Sequence, residues 1–191
     1  SDLAAAAVVA ASTNYQLWGG LMVAYSIAAI FGWLGLYLYL AQGRAEATAL
    51  GGMLITVLGT VLLLPGFGVW SFAAPVAGQL YLQGNNEAMT VYQAITNSPG
   101  LIVAPASLPV LLVGLVLFSV AVWRDNTLPK AVMVVLVITT VLEGPFLPGL
   151  GLIMNSVIRA GASLWLAYSI WQQATTRRAN ESATFNQVVT R

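Results

Sequence analysis

Apolar runs long enough to cross a bilayer recur four times in this 191-residue chain, and almost every basic residue falls in the gaps on one side of them. A membrane span needs about 20 apolar residues. The first run covers residues 17–41, the second 48–74 and the third 101–123. The fourth, 131–173, is about 43 residues long, or roughly 65 Å as a helix, twice a bilayer core. The sequence Gly144-Pro145-Phe146-Leu147-Pro148-Gly149 interrupts it. Two prolines flanked by glycines break a helix, because each proline lacks an amide donor and clashes with the preceding turn. The fourth run therefore resolves into two spans, 131–147 and 151–173, joined by a hairpin. The expected fold is an all-α integral membrane protein, a bundle of five transmembrane helices in a single domain over 17–173.

Composition supports the membrane reading. Residues are 59% hydrophobic and 7% charged, where a soluble domain carries roughly 25% charged residues. A surface so poor in charge needs lipid around it. The net charge of +1 and the lack of any basic stripe exclude nucleic acid as a partner. There is no cysteine and no histidine. Disulfides, thiolate metal sites, Ser-His catalysis and histidine ligation of haem, copper or pigment are thereby excluded, and no metal site is expected.

Arg44, Arg124, Lys130, Arg177, Arg178 and Arg191 all fall on one side of the five-span pattern. The opposite loops hold only Asp2 and Glu87. The positive-inside rule then sets the N-terminus outside and the C-terminus in the cytoplasm, in a bacterial inner membrane. Aromatic belts agree, with Tyr15, Trp18 and Trp70 at the outer face and Tyr37, Tyr39, Trp123, Trp165, Tyr168 and Trp171 toward the inner one. Residues 1–16 form an outer interfacial segment: the apolar run in 1–11 has no basic n-region and is too short to cross, so it reads as a short helix rather than a signal peptide. Within the outer loop 75–100, Ala88, Val91, Tyr92 and Ile95 share one helical face, predicting an amphipathic helix capped by Asn85 or Asn86 and stopped before Pro99-Gly100. The tail 174–191 is polar and is expected to be flexible by itself. The motif Leu64-Pro65-Gly66-Phe67-Gly68 recurs as Leu147-Pro148-Gly149-Leu150-Gly151, which reads as repeated helix-ending chemistry rather than a duplication.

Arg159 is the basic residue that does not fit, because it lies inside a span. An unpaired arginine at mid-membrane costs about 2.5–3.5 kcal/mol on insertion scales. Glu143, at the end of the preceding span, is the acid the hairpin brings nearest, and Asn155 and Ser163 lie one turn before and after Arg159. The milder reading is a Glu143–Arg159 pair that staples two helices. The sharper one is a ligand site of Glu143, Asn155, Arg159 and Trp70 in an outer-leaflet pocket, since seven of the eight prolines map to that half and free backbone carbonyls there. Along the first span Gly20, Ala24, Ala28 and Gly32 recur every fourth residue as a helix-packing face, assigned to internal packing ahead of dimerisation.

No lysine or aspartate lies within a span, and neither a phosphate loop nor an acidic metal cluster is present, so catalysis is not expected. The leading expectation is a non-catalytic accessory subunit of a larger membrane complex, with an energy-converting assembly, photosynthetic or respiratory, as one host. Its partners are membrane lipids and other integral membrane subunits, with no cofactor required. The alternative is a protein that binds or transports a small amphiphile (lipid, quinone, or a pigment held without histidine) in the outer-leaflet pocket.

Overall fold

The structure is a computed structural model that describes residues 3–43, 45–101, 103–142 and 150–189, with the side chains at 150–153 and 177–189 outside the description. The described chain is all-helical: α1 (Leu3–Ala11), α2 (Thr13–Leu40), α3 (Glu46–Gly68), a π-helical segment (Val69–Ala73), α4 (Ala74–Leu82), α5 (Ala88–Thr96), α6 (Val103–Asp125), α7 (Lys130–Leu142) and α8 (Leu150–Val189). Three stretches among the described residues are long and apolar enough to cross a membrane: Thr13–Leu40, Glu46–Leu82 and Pro99–Asp125. Helix α7 is apolar but has 13 residues. At 1.5 Å per residue its described part covers about 20 Å of a bilayer core of about 30 Å. The hairpin expected to complete that span lies outside the described residues.

The second span differs from expectation in length. It runs through Pro65 and past Pro75 to Leu82, 37 residues or about 55 Å of continuous helix. Pro65 sits inside α3, so the Leu64–Gly68 motif does not end a helix; its second copy falls largely outside the described residues. Pro75 is accommodated by a change of helical pitch. Ala74 donates its N–H to the Val69 carbonyl five residues back, which widens the turn where the proline ring would otherwise collide. The helix stops at Gly84 (φ +98), whose N–H bonds the Tyr81 carbonyl while the Asn85 N–H reaches Leu80, each at 3.0 Å. This pairing closes the carbonyl end, and it favours glycine because the backbone there is left-handed. At the end of α6 Asn126 takes the same role with φ 57.

The chain divides into two compact units, residues 1–33 with 55–111, and residues 34–54 with 112–191. In the first unit α1 packs on α4. A Cβ at Gly78 would lie 2.7 Å from the Ala7 carbonyl oxygen and 2.9 Å from the Ala11 nitrogen, so the two backbones touch. Ala7, Ala77 and Met89 form a small core with Leu3, Tyr81 and Tyr92 around it, tying α1, α4 and α5 together. The N-terminal segment thus forms its expected helix, with α4 as its packing partner. Helix α5 also forms where an amphipathic helix was expected, but with a different inner face. Met89 is buried while Val91 and Ile95 remain exposed, and Asn85 accepts the Glu87 N–H at 3.3 Å in place of a side-chain cap.

Helices α3 and α6 meet along a glycine seam. Gly52, Gly59 and Gly66 are spaced by seven and face Phe118, Leu111 and Ala104, also spaced by seven and running the opposite way. A Cβ at Gly59 would lie 2.8 Å from the Leu111 nitrogen. A seven-residue repeat drifts only about 20° per step around a helix, so it holds one contact line over several turns. The buried residues of α2 follow the same period, with Gly19, Ser26, Trp33 and Leu40 inside.

The stripe Gly20, Ala24, Ala28 and Gly32 takes no part in this seam: all four are exposed, and nothing lies within 4 Å of a Cβ built at Gly20 or Gly32. A four-residue repeat turns about 40° per step and leaves a left-handed seam within two turns. Helix α8 continues unbroken to Val189, because nothing between 174 and 189 is glycine or proline.

Candidate functional site

The four residues expected to form a ligand site are placed as follows. Glu143 lies outside the described residues. Asn155 and Arg159 stand one turn apart on α8 in the second unit, and Trp70 belongs to the first. Asn155 has a definite task. It is 4% exposed and its Nδ2 donates to the Thr139 carbonyl at 2.8 Å. Thr139 lies in the last described turn of α7 (Lys130–Leu142). In an apolar setting a buried amide without a partner is costly, and this bond satisfies the Asn155 side chain while tying α8 to α7. Arg159 is half-buried, and its carbonyl accepts the Ser163 hydroxyl at 2.9 Å. Trp70 packs edge-on to Phe67, with ring centroids 5.8 Å apart.

Two other constellations are assembled that were not anticipated. The first lies in the second unit, around Thr127 in the turn between α6 and α7. The Tyr39 hydroxyl donates to Thr127 Oγ1 at 2.9 Å, Thr127 Oγ1 donates to the Asp125 carboxylate, and Gln173 Nε2 donates to the Thr127 carbonyl at 3.1 Å. Gly43 fits beside Asp125, where a Cβ would come within 2.5 Å of the carboxylate oxygen. Arg124 reaches Thr48 at 3.3 Å. This network gathers the ends of α2, α3 and α6 and the middle of α8 through groups up to 134 positions apart in sequence (Tyr39 to Gln173). No spacing rule could have linked them.

The second is a cleft of about 590 Å³ between α4 and α5 in the first unit. Phe72, Val76 and Leu80 form one wall and Ala88, Val91 and Ile95 the other, with Asn85 and Glu87 also in the lining. That volume lies within the usual range of small-molecule pockets, about 300–1,000 Å³. The walls are apolar, so the cleft suits an alkyl chain, and its polar groups offer a carboxylate and an amide. The missed signal was the spacing of Phe72, Val76 and Leu80, one helical stripe continuing through a segment taken for loop.

Tyr92 anchors α5 beside the cleft. It hydrogen-bonds to the Tyr15 side chain at the start of α2. Burial, and then the neighbouring Tyr15, push its phenol up to about 12, so it stays a neutral donor through the physiological range. Among the described residues, the buried hydroxyls of Thr56 and Ser71 have no hydrogen-bond partner. Ser71 occupies the π-helical segment and abuts Gly19, where a Cβ would lie 2.7 Å from its Oγ.

No protein-family model matches the chain, and no curated protein or solved structure matches it either.

Proposed function

We propose that this chain is a non-catalytic subunit of a larger membrane complex, docking other integral subunits through α2. The observation that carries the reading is the pair of faces on that helix. The seven-residue seam is used inside the chain, while the small-residue stripe Gly20, Ala24, Ala28 and Gly32 is left bare. Small residues let a second helix approach to backbone distance, where dispersion and Cα–H contacts replace the hydrophobic drive that lipid removes. A second feature supports it independently: α8 carries helix 16 residues beyond Gln173 into the polar sequence 174–189. A polar helix projecting from a bundle is a ready contact for a partner.

The topology proposed with it has five spans, N-terminus out and C-terminus in, in a bacterial inner membrane. Six of seven basic residues on one side support that orientation. The cysteine-free sequence makes the topology directly testable. Asn86→Cys should react with a membrane-impermeant maleimide in intact cells, and Thr176→Cys only after permeabilisation.

The subunit reading is tested by gentle extraction from native membranes and native mass spectrometry. The expected result is a complex larger than one chain, reduced to the single chain by Ala24→Phe with Ala28→Phe while helicity and melting temperature hold. A single chain recovered from both forms would refute it.

A further inference from the structure

We infer that the cleft between α4 and α5 binds one acyl chain of a phospholipid whose head group carries an ammonium, with Glu87 receiving that cation. The inference is independent of the subunit reading and rests on a different part of the molecule.

Position comes first. Gly19 of α2 abuts Ser71, and Gly78 of α4 abuts Ala7 and Ala11 of α1. The cleft wall Phe72–Leu80 is therefore level with the start of α2, where Tyr15 and Trp18 lie with ring centroids 5.8 Å apart. Paired tyrosine and tryptophan at a span end mark the head-group layer of a bilayer. Length agrees: Glu46–Leu82 exceeds a hydrocarbon core of about 30 Å by roughly 25 Å, so α4 extends into that layer.

Chemistry comes second. Phe72, Val76, Leu80, Val91 and Ile95 give the cleft an apolar interior, and Phe72, Val76 and Val91 are each more than half exposed in the chain alone. Burying such surface under an alkyl chain is favourable at about 25 cal/mol per Å².

Charge comes third. The sequence holds no lysine or arginine between Arg44 and Arg124, and none before Arg44. The first unit is consequently without a basic side chain, and Glu87 is the one charged side chain among its described residues. An anionic head group would meet only like charge here, whereas an ammonium finds a carboxylate. Asn85 accepts the Glu87 N–H through Oδ1, which leaves its Nδ2 free by chemistry to donate to the lipid phosphate. Zwitterionic phosphatidylethanolamine satisfies all three elements; phosphatidylglycerol satisfies two.

The experiment is lipid competition in mixed phosphatidylethanolamine–phosphatidylglycerol nanodiscs of matched acyl chains, followed by native mass spectrometry of the released full chain. Wild type should retain phosphatidylethanolamine about threefold over phosphatidylglycerol, the range of an exposed ion pair. Glu87→Gln, on an exposed turn, should keep the bound lipid and lose the preference. Val76→Trp with Val91→Trp, which fills the cleft, should lower retained lipid roughly tenfold. Equal retention of both lipids by wild type, or a preference unchanged in Glu87→Gln, overturns the inference. So does full retention by the filled variant. Should the tryptophan variant fail to fold, the Glu87→Gln comparison decides alone.

Discussion

The two units of this chain solve the same problem, holding apolar helices together, by different means. In the first unit backbones touch: Gly78 lies against Ala7 and Ala11, Gly59 against Leu111, and Gly66 against Ala104. In the second Gly52 lies against Phe118 in the same way, but side chains also reach between helices: Asn155 to Thr139, Tyr39 to Thr127, Gln173 to Thr127 and Arg124 to Thr48. The charge map follows that division, with no basic residue in the first unit and every one in the second. Close backbone packing leaves large side chains outside the contact, and in the first unit they line an open cleft. Hydrogen-bonded packing draws polar side chains into the contact, and in the second unit they join the helices. The lesson concerns cost: glycine contacts fail by steric intrusion, polar contacts by leaving a buried group unmet.

The largest effect should come from intrusion. Gly59→Ala places a methyl 2.8 Å from the Leu111 nitrogen and should destabilise the fold by about 1–3 kcal/mol. Gly32→Ala, with open space around it, should instead be neutral or stabilise by up to about 1 kcal/mol through helix propensity. Thermal melts of the two purified variants give the comparison, and equal losses would erase the distinction between the two faces of glycine. Next in size is the loss of a donor. Asn155→Leu removes the hydrogen bond to the Thr139 carbonyl and should cost about 1–2 kcal/mol, read as a lower melting temperature, with hydrogen exchange accelerated in the last described turn of α7. An unchanged exchange rate there would show that α7 does not depend on this bond.

The smallest effect is a pH dependence. The Tyr92 phenol is raised from 10.0 to about 12 in the folded chain, so its contribution is fully present below pH 10 and is lost as pH rises toward 12. Alkaline titration of tyrosinate absorbance should show a late step near pH 12, and Tyr92→Phe should remove it. A step at the ordinary phenol position would mean α5 is not held against α2.

Much of this was legible beforehand, for local reasons. Hydropathy located Thr13–Leu40 and Pro99–Asp125 to within a few residues, because lipid requires long helical apolar runs and permits little else. Helix α5 was readable from its amphipathic period. Proline was the misleading signal. Pro75 looked like a terminus, yet a single π turn let the helix pass it, and with that extension came one wall of the cleft. The stripe on α2 was ambiguous in another way, since small residues at spacing four and at spacing seven look equally smooth in a sequence. Only the register of neighbouring helices selects between them.

What the sequence by itself determined is a helical chain with apolar runs long enough to cross a membrane, since hydropathy and helix propensity are additive along the chain. The tertiary structure alone decided that Asn155 ties α8 to α7, that Thr127 joins Tyr39, Asp125 and Gln173, and that α4 and α5 enclose a cleft. Those outcomes depend on which faces meet, and a helix presents a new face every residue, about 100° apart. A contact between helices is a property of two faces at once, and neither segment encodes it alone.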